Sequence, residues 1–118
     1  MEDPAKQGGC LKPDRGFEVN DCRTMDEVRE RIDRIDEMII ALLADRVRLI
    51  ETAAHLKTAR ADVRDEARIA QVLEKVRGHA ARLGVPEELA DMLYRRVVAW
   101  CVEYEFRCFD RLCAERRD

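Results

Sequence analysis

The sequence predicts an all-α protein, and three observations carry that expectation. Charged residues fill 40% of the 118 positions and aromatics only 5%, a balance that suits surface-charged helices and serves a β-sandwich or barrel poorly. Glycine and proline, the residues that punctuate strands and turns, number five and three. Apolar residues recur at alternating spacings of three and four over two long stretches, the period of one helix face. The length is one domain's worth of chain and the 47% apolar content can fill one core, which excludes a second independent domain.

The elements follow in order. Residues 1–21 hold three of the five glycines and two of the three prolines with few apolar side chains, so they read as a disordered tail, with the folded domain over 22–118. Thr24-Met25-Asp26-Glu27 is a capping-box pattern that opens a helix. Val28, Ile32, Ile35, Ile39, Leu42, Arg46, Leu49, Ala53 and Leu56 then form one seam, with no Gly or Pro between 24 and 60. That predicts a helix of roughly 34 residues, about 50 Å long, where a compact domain of this size has a radius of gyration of about 13 Å. Such a helix overhangs its own protomer, so its apolar seam predicts an intertwined homodimer.

A break at Asp62-Val63-Arg64-Asp65 starts a second helix, with Asp65 or Asp62 as its cap, that carries Ile69, Val72, Leu73 and Val76 and is ended by Gly84. Pro86 suits the first turn of a third helix, and Glu87 and Glu88 sit at the favourable end of its dipole. Its seam runs Leu89, Leu93, Val97, Cys101, Glu105, Cys108 and Leu112 to about residue 113. The expected protomer has three helices of unequal length.

Composition also narrows the function. A net charge of −3 offers no global attraction to nucleic acid or an anionic membrane, so an anionic ligand would need a local cationic pocket. The cysteines, at 10, 22, 101, 108 and 113, form no CxxC, and His55 and His79 stand apart from them, so neither a zinc site nor a disulfide framework is expected. The start of the chain lacks the apolar run of a signal peptide and no window approaches a membrane span, which points to a reduced, cytoplasmic protein. No nucleophile with a histidine base, Gly-rich phosphate loop or dinucleotide fingerprint is present, so no metal and no cofactor is expected.

Each seam is interrupted by one charge, Arg46 in the first helix and Glu105 in the third. A buried charge costs several kcal/mol unless it is paired or faces a polar ligand. Lys57 stands eleven residues after Arg46, a rotation that returns it to within roughly 20° of the same face. Arg29, about 25 Å from Arg46 along the axis, would join that site only from the partner in an antiparallel dimer. Several cations and one carboxyl, walled by Val98 and Val102, would suit a small dianion.

These residues resemble those of the all-helical, AroQ-type chorismate mutases and their relatives, the isochorismate-pyruvate lyases. The resemblance is carried by Val28-Arg29-Glu30-Arg31-Ile32-Asp33-Arg34-Ile35-Asp36, Leu42-Leu43-Ala44-Asp45-Arg46, Lys57, Val63-Arg64-Asp65-Glu66-Ala67-Arg68 and the third helix through Glu105. It spans about residues 22–113. It implies a three-helix protomer in a dimer with two sites, each completed by the partner's Arg29, and a cofactor-free rearrangement of chorismate to prephenate in aromatic amino acid biosynthesis. It further implies that Arg29 and Arg46 grip the substrate carboxylates and that Lys57 contacts the ether oxygen and a carboxylate. Asp65 would hold the ring hydroxyl, and Arg68 would be a further cationic wall.

Three positions depart from the common pattern. Position 105 is Glu, as in fungal mutases, where many bacterial members have Gln; position 69 is Ile in place of a second carboxylate; position 101 is Cys where Ser is common. Ile69, Trp100 and the spacing from Lys57 to Arg68 look more like the lyase branch, whereas Asp65 and Glu105 favour the mutase. A helical dimer that has lost activity and serves as a regulatory module is a third class, opposed by the retained Arg29, Arg46, Lys57 and Arg68.

Overall fold

A computed structural model of the chain describes residues 16–117. Three α-helices and no strand occur among them: α1 (Met25–Leu56), α2 (Glu66–Leu83) and α3 (Glu87–Arg117), with a 3-10 turn at Arg60–Asp62 between the first two. The protein is therefore all-helical, with the three unequal helices expected. The described chain divides within α1 into two compact units, one ending at Arg46 and the other beginning at Val47.

In the first unit the capping box forms as the sequence predicts. The Glu27 backbone N–H donates to Thr24 Oγ1 at 3.1 Å, which caps one donor of the starting helix, and the Glu27 carboxylate reaches back to the N–H of Arg23, one residue before the cap, at 2.9 Å. Of the tail expected over 1–21, residues 1–15 lie outside the described residues. The remainder is irregular. Arg31 donates to the Glu18 carbonyl at 2.7 Å and pairs with Asp21, and the Phe17 ring lies under the guanidiniums of Arg31 and Arg34.

Along α1 the seam side chains Ile32, Ile39, Leu42, Leu49 and Leu56 are exposed, from 48% to 77%, while Ala54 is buried. In the second unit, the core next to Ala54 is built from Val63, Cys108 and Phe109, with Tyr104, Phe106, Leu112 and Cys113 packed around it. Arg60 ties the 3-10 turn to α3 through both Nε and Nη2 on Asp110, at 2.9 and 3.2 Å. That pairing holds the Asp110 carboxyl below its ordinary range. The same guanidinium covers the Phe106 ring at 4.5 Å.

Helix α2 packs on α3, with Leu73 and Ala80 buried on one and Ala90, Val98 and Cys101 on the other. Its ends are set by two short-range devices. Asp65, in extended backbone, accepts from the Arg68 N–H at 3.0 Å, a side-chain N-cap. At the other end Gly84 adopts φ 78°, and both its N–H and that of Val85 donate to the Ala80 carbonyl, a left-handed stop that glycine adopts without a Cβ penalty.

Nothing lies within 4 Å of a Cβ built at Gly84, so a substitution there meets backbone strain alone. Gly84→Ala is expected to cost about 1–2 kcal/mol, measured by urea unfolding, and Gly84→Asn to cost less because asparagine tolerates the left-handed region.

Candidate active site

Helix α1 ends at Leu56, the last residue of its seam, and Lys57 follows as the last residue of its ladder, donating its N–H to the Ala53 carbonyl at 3.1 Å. From there its ammonium Nζ stands 2.5 Å from Glu105 Oε2 on α3. The two side chains are 29% and 6% exposed. Glu105 is thus a charge inside the α3 seam, satisfied by a lysine that keeps partial access to solvent. A buried carboxylate without that partner would cost several kcal/mol.

Glu105 shares its face of α3 with Val102, Val98 and Arg95, at steps of three, four and three. Those three residues, with Ile69 and Leu73 of α2, Ala99 and Arg64, line a cleft of about 180 Å³. The structure so brings together Ile69, Val98 and Val102 as one apolar wall. Cys101 is buried on the same helix.

Two other candidates have local partners. One oxygen of Asp65 caps α2, as described above, and Arg68 is exposed, donating through Nη1 to Gln71 Oε1 at 2.6 Å. The cations that border the cleft are Arg64 and Arg95. The position of Arg95 three residues before Val98 is a sequence signal that points to it; Arg64 is placed only by the turn before α2. Arg29, exposed, and Arg46, half-buried, belong to the first unit.

On another side of α3, Trp100 and Tyr104 stack with centroids 4.9 Å apart, and Arg107 lies over both rings. The Tyr104 hydroxyl donates to Glu51 Oε2 at 2.6 Å. This bond to a carboxylate, then the Cys108 contact and burial, push the phenol up to about 12 from an ordinary 10.0.

Among the described residues no group of three or more His, Cys, Asp or Glu could hold a metal ion, and no helix is long and apolar enough to cross a membrane. Residues 28–106 match the family model described as chorismate mutase type II. The chain belongs to that family. The match runs from the residue before Arg29 to the one after Glu105, so it takes in every candidate position. A curated relative, isochorismate pyruvate lyase of Pseudomonas aeruginosa, is 25% identical over 87 residues, covering 74% of this chain and 86% of its own. Membership carries a chorismate-mutase-type function and a small-molecule substrate.

The raised Tyr104 pKa has a definite sign. A phenol whose proton is held more tightly in the folded state adds stability that is fully present below pH 10 and is lost as pH rises towards 12. In a tyrosinate absorbance titration the wild type is expected to show a component with its midpoint near 12, and Tyr104→Phe to abolish it. A single ordinary transition in the wild type would contradict the Glu51 bond.

Proposed function

We propose that the protein rearranges chorismate to prephenate. The observation that carries this reading is the 2.5 Å Lys57–Glu105 pair beside an apolar wall, in a chain of the chorismate mutase type II family. In the rearrangement the ether C–O bond breaks as a C–C bond forms within one molecule, so no nucleophile, metal or redox partner enters. Catalysis then consists of holding the enolpyruvyl arm over the ring and placing donors where the ether oxygen gains electron density.

Lys57 supplies a permanent donor for that oxygen, and Glu105 orients it. In the pair Glu105 accepts from Lys57. Ile69, Val98 and Val102 present a surface against which a ring packs without competing hydrogen bonds. By the family resemblance Arg46, and Arg29 of the partner subunit, take the two carboxylates, Asp65 the ring hydroxyl and Arg68 a further wall position. The exposed Ile32, Ile39, Leu42 and Leu49 support the homodimer this requires, because a helix face of that character is stable in water only when covered.

A lyase reading is favoured by one observation, the similarity to a Pseudomonas protein named as isochorismate pyruvate lyase. In that reading the same cleft splits isochorismate into salicylate and pyruvate.

The two are separated by assaying the purified protein with each substrate and identifying the product. Prephenate from chorismate is expected; salicylate from isochorismate at much higher efficiency would move the assignment to the lyase. Lys57→Ala is expected to lower kcat by about 10²–10³-fold, the usual worth of one preorganised donor to developing negative charge. Glu105→Ala, which leaves the Lys57 ammonium without its partner, is expected to lower kcat, and Glu105→Gln, which keeps an acceptor for that ammonium, to retain most of the activity. Wild-type kcat in the Glu105→Ala variant would remove Glu105 from the orienting role.

A further inference from the structure

The α2–α3 cleft carries two cations in addition to those at the positions the family resemblance assigns. Its walls are Ile69, Leu73, Val98, Ala99 and Val102, and its remaining lining residues are Arg64 and Arg95. Arg64 leaves the turn just before α2, and Arg95 stands on the α3 face that continues to Glu105, so the two guanidiniums come from both elements that form the cleft.

How each arginine is held decides what it can still do. Arg60, elsewhere in the unit, spends Nε and Nη2 together on Asp110 and is a structural tie. Arg64 meets Glu66 through Nε alone, at 2.6 Å, and Arg95 meets Asp91 through Nε alone, at 2.8 Å. In both, the terminal Nη nitrogens, the edge that matches a carboxylate bidentately, have no partner among the described residues. Their carboxylates do not neutralise them fully either. Asp91 also accepts from Arg77 at 3.4 Å, so three guanidiniums face two carboxylates, and Glu66 is 72% exposed on its side chain. An apolar cleft of about 180 Å³ has room for one six-membered ring, and the cations at its border select what that ring must carry.

We infer that Arg64 and Arg95 are specificity-determining residues that clamp the ring carboxylate of the substrate, with the ring seated on Ile69, Val98 and Val102. This rests on the functional reading above only for the identity of the substrate. A carboxylate has about four acceptor positions, so the clamp adds to any grip from Arg46 or Arg29. It acts on ground state and transition state alike, because the ring carboxylate keeps its charge throughout the rearrangement; its signature is therefore in KM.

The test uses the full-length protein with benzoate as probe and benzamide, its neutral counterpart, as control, followed by NMR titration. Wild type is expected to bind benzoate at least tenfold more tightly than benzamide. Arg64→Gln and Arg95→Gln are each expected to weaken benzoate binding about tenfold and to leave benzamide unchanged, while Arg60→Gln leaves both unchanged. With chorismate, the same two variants are expected to raise KM about tenfold with kcat little altered, and Arg64→Lys to recover part of the loss. Equal binding of benzoate and benzamide, or wild-type benzoate affinity in the Arg64→Gln/Arg95→Gln double variant, overturns the clamp. A protein that turns over neither chorismate nor isochorismate overturns the functional reading, and the benzoate titration then still decides the clamp.

Discussion

The second unit is organised around a carboxylate in an apolar seam. Glu105 is buried in the middle of α3, and a charge there is tolerable only if an opposite charge reaches it with good geometry. Lys57 does so from the residue that closes the helical ladder of α1, which ties the end of one helix to the centre of another. Because the lysine keeps some contact with solvent, the pair also ends at a surface where a ligand can meet it. A buried pair with no access would only cost stability, and a fully exposed one would be screened and weak.

Helix α3 serves different purposes on its different faces, as a 31-residue helix of 3.6-residue period permits. Arg95, Val98 and Val102 border the cleft, and the same helix face continues to Glu105 of the ion pair. Cys108 and Phe109 fill the core beside Ala54 and Val63. Trp100, Tyr104 and Arg107 form a stacked ladder, anchored by the Tyr104 bond to Glu51. Glu51 and Lys57 both reach α3 from the end of α1, one to a neutral phenol and one to a carboxylate, so two hydrogen bonds of different character fix that end of the helix against it.

The many arginines of the chain divide by what their guanidiniums touch. Arg60 is consumed by Asp110 and Phe106, and Arg31 by Asp21, the Glu18 carbonyl and Phe17. Arg64 and Arg95 engage their carboxylates by one nitrogen only. A chain with a net charge of −3 can therefore still present local positive charge, because what matters to a small anion is the unspent donor edge within reach and not the sum over the surface.

The sequence by itself determined the helical class, the capping box at Thr24 and Glu27, the stop at Gly84, and the seam breaks at Arg46 and Glu105. All of these are written in local chemistry: caps, left-handed glycine and a 3.6-residue period act between residues a few positions apart. Family membership was legible for the same reason, since the segments that carry it are short runs on helices. What only the tertiary structure decided is the pairing of side chains far apart in the chain. Periodicity marks Glu105 as misplaced without naming its partner, and Lys57 lies 48 residues away. The Asp65 cap on the Arg68 N–H is a local device the sequence already marks, whereas the Arg68 side chain's bond to Gln71 is a matter of packing. The packing of α2 on α3 brings Arg64 and Arg95 to one cleft, and the direction in which each guanidinium spends its donors depends on neighbours that only the fold supplies.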